Sequence, residues 1–213
     1  MPNSSGAVAP ARRGRPRKSA EERAESERRA ELVRAAARLF RAKGFDATST
    51  REIAAAASMQ SGSPFYYFES KSALLFAVMH DGMAQAGRRL DVALRALGPR
   101  PSARARLEVL IRQHFEVLLG EGSDFIPVML FEWRSLTPEQ RQAVAAQKDA
   151  YEALWMPVLR GLHRAGQLDA QPAVARLFIF GALNWTVQWF NPTGPRSLDE
   201  LTEQAMRLFV GEA

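Results

Sequence analysis

The sequence predicts an all-α fold of about nine helices. Three observations predict it. Apolar residues recur at i, i+3, i+4 and i+7 along much of the chain. Helix start and stop signals divide it into segments of ordinary helix length. No period-2 alternation bounded by turn residues stands out, and no internal repeat is visible.

The elements follow in order. Residues 1–19 are poor in apolar side chains and rich in breakers, the composition of a segment that is disordered alone. From about Ala20 the pattern turns helical, with Leu32, Val33, Ala36, Leu39 and Phe40 on one face. Gly44 ends this helix, and Phe45 is placed to pack back on it. Ser49 and Glu52 form a capping box, with Thr48 just before, and the run from Ile53 to Ala57 favours helix. Ser58-Met59-Gln60 reads as a tight connection. A further short helix covers Ser61 to Phe68, starting at Ser61 or Gly62 because Pro64 is tolerated in a first turn. Ser70 caps a long helix through Lys71, Leu74, Leu75, Val78 and Met79. After Gly98-Pro99-Arg100-Pro101 a helix runs from about Ser102 to Leu119, and residues 120–123 break again. Residues 124–134 are short, apolar and aromatic. Thr137-Pro138 opens a helix to about Ala165, in which Pro157 predicts a kink. Gln171-Pro172 starts the next, reaching about Phe190. Residues 191–195 are a loop, and a capping box at Ser197 and Glu200 opens a last helix to about Val210.

Charge is unevenly spread over the 213 residues. The net charge is +6, but residues 1–45 carry 12 Lys and Arg against 5 Asp and Glu, while the remainder carries 17 against 18. A basic end on a near-neutral body points to a polyanion partner at that end, or to a solubilising tail. There is no cysteine, which removes disulfides, thiolate catalysis and Cys-based zinc sites. The three histidines, His80, His114 and His163, are not at metal-ligand spacing, and no metal or other cofactor is expected. The N-terminus has no secretory signal. The longest apolar stretch, Leu177 to Phe190, is interrupted by Asn184, Thr186 and Gln188 and falls short of the roughly 18 residues a membrane helix needs. The expected location is the cytoplasm, away from a membrane.

Two short helices joined by a tight turn, soon after a basic segment, fit a helix-turn-helix. The second begins with the small residues Ser61, Gly62 and Ser63, which let backbone approach base edges, and continues with Phe65, Tyr66 and Tyr67. Helix N-termini attract phosphate, Tyr hydroxyls donate to phosphate oxygens and aromatic faces can meet thymine methyls. Phe68 is read as core. For Tyr66 and Tyr67 spacing alone leaves core and DNA contact equally open. Lys71 stands within reach of a backbone phosphate.

Residues 37–75 closely resemble the DNA-binding domain of TetR-family repressors. The markers are G-F-x-x-T-S-x-R-E-I-A, the G-S-x-x-Y-x-F core and the following S-K-x-x-L. The resemblance implies a three-helix DNA-binding domain over 20–70, with 1–19 as a basic arm and 71–213 as an effector-binding and dimerisation body. It also implies residue roles. Thr48 would cap the first motif helix and touch phosphate. Arg51 would read a base. Ser61, Gly62 and Ser63 would enter the major groove, and Tyr66, Tyr67 and Lys71 would contact phosphate. Four positions depart from the family pattern: Ser58 for Gly, Pro64 for an apolar residue, Phe65 for Tyr and Tyr67 for His.

The arm Arg12-Arg13-Gly14-Arg15-Pro16-Arg17-Lys18 contains Gly-Arg-Pro between basic residues, similar to an AT-hook core that lies in a narrow A·T minor groove. A nonspecific basic tail is the other reading.

In the body, candidate pocket residues are His114, Phe115, Phe125, Met129, Trp133, Arg134, Tyr151, Trp155, Phe178, Asn184 and Gln188, an apolar set with few polar groups. Glu132 and Arg134 read equally well as internal ion-pair partners. The last two helices carry apolar faces, Gly181, Trp185 and Trp189, then Leu201, Ala205, Leu208 and Phe209, with Phe178 also on the first. The family resemblance implies a dimer through these helices as a four-helix bundle, and hence a palindromic operator. Residues 181–201 and 131–136 are similar to TetR-family members that respond to acyl-CoA thioesters, which implies an acyl-CoA effector. The function expected is therefore a ligand-released, dimeric transcriptional repressor. An enzyme is not expected, since the chain lacks H-E-x-x-H, G-x-S-x-G, a P-loop and a dinucleotide fingerprint. An acyl-CoA-acting enzyme and an architectural A·T-rich DNA protein without effector are the competing classes.

Overall fold

The computed structural model describes residues 19–60, 64–120 and 122–211. The arm residues Arg12, Arg13, Arg15, Arg17 and Lys18, and the motif residues Ser61, Gly62 and Ser63, lie outside them. Ten α-helices and no strand occur among the described residues.

Helix α1 (Ala20–Lys43) starts at a capping box between Ser19 and Glu22 and stops at Gly44, whose φ of 84° and ψ of 164° suit glycine alone. Phe45 then turns back onto Phe40, with ring centroids 5.5 Å apart. Helix α2 (Thr50–Ala56) has Ser49 as N-cap with Glu52 completing the box. The turn after it holds Ser58 at φ 55°, a left-handed conformation in which glycine is the usual residue. Helix α3 (Pro64–Tyr67) and helix α4 (Lys71–Ala96), capped by Ser70, follow.

The body comprises α5 (Ala103–Leu119), α6 (Phe125–Glu132) with a trailing 3₁₀ turn, α7 (Pro138–Ala153), α8 (Met156–Arg164), α9 (Pro172–Trp185) with a 3₁₀ turn to Gln188, and α10 (Leu198–Val210). The expected kink at Pro157 is a full break that splits one expected helix into α7 and α8. Proline has no N–H for the carbonyl four residues back, here Ala153, and its ring crowds that carbonyl, so α7 ends there.

Two buried apolar clusters result. One joins α1, α2, Phe68 and the first turns of α4, and takes in Val128 of α6 and Val144 of α7. The other joins the second half of α4 to α5, α8, α9 and α10 around Trp155. Phe125 and Met129 of α6 pack against both. Helices α4 and α6 thus tie the clusters together. Among the described residues no helix is long and apolar enough to cross a membrane, and no cluster of His, Asp or Glu is placed to hold a metal ion.

Candidate functional site

The first candidate surface is α2, its turn and α3. Arg51 is exposed on α2. Glu52 lies behind it in a tight ion pair with Lys43, and that contact plus the Ser49 N–H holds its carboxyl down at about 2. On α3, Phe65 and Tyr66 are 57% and 75% exposed, whereas Pro64, and Phe68 just after the helix, are buried. Tyr67 is half-buried against the N-terminal cluster, edge-on to Tyr66 at 5.0 Å. The question left open by spacing therefore divides: Tyr66 faces outward and Tyr67 inward. Phe68 is core, with the Arg29 guanidinium 5.0 Å from its ring.

Two implied roles do not fit their positions. Thr48 does not cap α2, because Ser49 does. Thr48 is buried and its hydroxyl donates to the Gly44 carbonyl at 2.8 Å, so it fastens the inter-helix turn and has no free face for phosphate. Lys71 points inward too. Its Nζ donates to the carbonyls of Phe45 at 2.7 Å and Thr48 at 2.9 Å, and sits 4.2 Å from the Phe45 ring centroid. An ammonium has three protons, and these are committed to the carbonyls left exposed where the chain turns. Tyr66 is occupied as well: its hydroxyl meets Glu25 Oε1 at 3.2 Å, which raises its pKa.

Side chains from the body grip this surface from behind. Arg41 Nη1 pairs with Asp124 Oδ1 at 2.9 Å, at the start of α6. At the other end of α6, Glu132 Oε1 accepts the Phe45 N–H at 2.9 Å. Gln140 of α7 accepts from Ser72 at 3.1 Å, and Arg29 pairs with Asp81 at 2.9 Å. The Phe125 ring lies so close on α4 that a Cβ on Gly82 would stand 2.3 Å from it. Glu132 and Arg134, expected as candidates for internal ion pairs, part company: Arg134 is exposed, and Glu132 accepts the Phe45 N–H at the turn.

The second candidate site is the polar hub of the body. His114 on α5 is fully enclosed, with Nδ1 3.2 Å from the Tyr151 hydroxyl and Nε2 3.1 Å from Asn184 Oδ1. The tautomer that satisfies both has Nε2–H donating to Asn184 and Nδ1 accepting from Tyr151. Phe180 and Trp155 flank the ring edge-on at 5.2 and 5.9 Å. Desolvation lowers the His114 pKa to about 4, although the Asn184 contact works the other way, so the ring is neutral at pH 7. Burial likewise pushes the Tyr151 phenol upward. Four pocket candidates, His114, Tyr151, Trp155 and Asn184, meet here, and Phe115 is buried on the same helix.

The remaining pocket candidates lie elsewhere. Phe125 and Met129 sit between the clusters and Trp133 packs on the N-terminal one. Gln188 and Arg134 are exposed, and Phe178 is 72% exposed on the outer face of α9, because Ala175, Ile179 and Leu183 occupy its inner face. Phe180, one residue pair away, turns inward. Of the expected dimer face, Gly181, Trp185, Trp189 and Leu208 point outward. Leu201 and Ala205 are buried on their own chain, and Phe209 packs there too, since the buried arc of α10 is centred near Thr202 and Phe209. Val174, Leu177, Phe178, Gly181, Ala182 and Trp185 form a continuous exposed stripe at helical spacing.

Among the described residues the chain is all helical, and two short helices joined by a tight turn ahead of a larger helical body are the layout of a helix-turn-helix DNA-binding protein. Within that class the chain belongs to the TetR family: residues 32–78 match the model described as "Bacterial regulatory proteins, tetR family" and residues 100–212 match "Tetracyclin repressor-like, C-terminal domain". It is a bacterial regulatory protein by membership. The chain is 26% identical to HTH-type transcriptional repressor KstR2 from Rhodococcus jostii (strain RHA1) over 189 residues, covering 87% of this chain and 90% of that one. Among solved structures it resembles superantigen PfiT at 35% identity and a TM-score of 0.72, covering 87% and 97% of the two chains. It shares the fold of AibR, solved with isovaleryl coenzyme A and operator DNA, at 24% identity and a TM-score of 0.77, covering 86% and 98%.

Proposed function

We propose that the protein is a transcriptional repressor that binds a palindromic operator as a homodimer and is released from it by an acyl-CoA thioester. Residues 20–70 form the DNA-binding domain, 71–213 the effector-binding and dimerisation body, and 1–19 a basic arm whose Arg12, Arg13, Arg15, Arg17 and Lys18 add minor-groove contacts. Arg51, Ser61, Gly62, Ser63, Phe65 and Tyr66 form the operator face. Arg51 and Phe65 are exposed, and Tyr66 becomes free to meet phosphate when DNA displaces its Glu25 contact.

One observation carries ligand control: α6 packs against both apolar clusters, and its two ends hold α1 and the turn after it through Asp124–Arg41 and Glu132–Phe45. A ligand that alters the body core shifts α6, and the shift reaches the operator-binding helices through those bonds. Coupling of about 1–3 kcal/mol is typical, equivalent to about 5–150-fold in affinity. The exposed stripe of α9, with Leu208, supports the dimer, because contiguous apolar surface of this kind marks an interface. A two-fold dimer presents its recognition helices about 34–36 Å apart, hence the palindrome. The name of KstR2 supports repression, and the isovaleryl coenzyme A bound by AibR supports the effector class.

Footprinting across the DNA upstream of this gene tests the operator reading. A protected inverted repeat bound by two protomers is expected. Protection of A·T-rich tracts without symmetry would contradict it and favour an architectural role.

A further inference from the structure

Arg88 and Arg89 stand side by side on the exposed face of α4, and among the described residues neither has an ion-pair or hydrogen-bond partner. Neighbouring arginines are matched: Arg95 pairs with Asp91 at 2.8 Å, and Arg112 bridges Glu116 and Asp199. An anion in reach of both would give each guanidinium the counter-ion it lacks. With Gln85, Val92, Ala93 and Gln113 they line a groove of about 470 Å³ between α4 and α5. Gln85 and Arg89 also border a second, narrower cleft of about 60 Å³, whose other walls include Val117, Ser123 and Phe125.

We propose that this groove is the site for the phosphorylated head of the acyl thioester, with Arg88 and Arg89 as phosphate ligands. The inference rests on the effector class proposed above. Guanidinium forks match phosphate oxygens two at a time. Gln85 and Gln113 supply neutral donors and acceptors for amides and hydroxyls, and Val92 and Ala93 an apolar floor. Phe125 lies against Gly82 and follows Asp124, the partner of Arg41.

The test is calorimetry of the full chain and the double variant Arg88→Gln, Arg89→Gln, its fold checked by circular dichroism. The probes are isovaleryl-CoA, palmitoyl-CoA, free coenzyme A, adenosine monophosphate and the matching acyl-pantetheine thioesters, which carry no phosphate. The double variant is expected to bind the acyl-CoAs at least tenfold more weakly and the acyl-pantetheines as the parent chain does. Acyl-CoA binding at unchanged affinity in the variant would overturn the head-group site and leave the effector class standing. Adenosine monophosphate binding as tightly as coenzyme A would also overturn it, as a simple nucleotide site. If coenzyme A binds through the two arginines while no acyl-CoA weakens operator binding, the site stands and the effector reading falls. If no phosphorylated probe binds, both fall.

Discussion

Around the inter-helix turn of the N-terminal region, polar side chains serve the backbone: Ser49 caps α2, Thr48 and Lys71 bond the turn carbonyls, and Glu132 reaches across from α6 to the Phe45 N–H. In the body the central polar side chains, His114, Tyr151 and Asn184, are spent on one another within an aromatic shell. The first arrangement fixes backbone geometry, as a surface that must match DNA requires. The second leaves a neutral network in a low-dielectric core, where each hydrogen bond is strong and each missing partner costly.

The comparison can be broken at several points. The largest effect is expected at Trp155, fully buried at the centre of the body cluster. Trp155→Ala should cost about 3–5 kcal/mol in urea unfolding. A loss under 1 kcal/mol would mean the body core is loosely packed around it.

Titration of His114 comes next. Its pKa near 4 in the folded chain lies below the ordinary 6.5, so the unfolded chain binds a proton first as pH falls. Stability from this group is present above pH 6.5 and is lost progressively down to about pH 4, by about 3 kcal/mol in all. The pH dependence of urea unfolding should flatten over that window in His114→Phe, and equal slopes in both chains would show that the ring is not enclosed.

Smaller effects are expected in the N-terminal region. Glu132→Ala leaves the Phe45 N–H unpaired and should destabilise by about 1–3 kcal/mol. Hydrogen exchange at the Phe45 amide should rise with it. Ser49→Ala removes a cap worth about 1 kcal/mol, read by thermal unfolding. Ser58→Gly should raise stability by about 1 kcal/mol, since φ 55° strains any residue with a Cβ; an unchanged midpoint would place the strain elsewhere.

Local signals explain which parts were legible in the sequence. The capping boxes at Ser49 and Ser197, the proline start at Pro138 and the stop at Gly44 are each written within four residues, and each stands as read. The box at Ser19 and Glu22 carries the same signature but abuts a basic tract rich in helix breakers, which masks it. Bonds between distant residues, Arg41 to Asp124 and Phe45 to Glu132, leave no periodic trace. His114 and Asn184 stood out singly as polar residues in apolar runs, but their meeting depends on how α5 and α9 pack. Helix α9 shows a different limit. It is apolar on both faces, so its pattern cannot say that Phe180 turns inward and Phe178 outward.

The central claim, that body and operator surface are coupled through α6, is tested most directly by fluorescence anisotropy. A duplex carrying the footprinted operator is titrated with protein at fixed salt, because phosphate contacts make affinity strongly salt dependent. Saturating acyl-CoA should weaken operator binding by about 5–150-fold, and Glu132→Ala should shrink that ratio. An acyl-CoA that binds the chain yet leaves operator affinity unchanged would contradict the account.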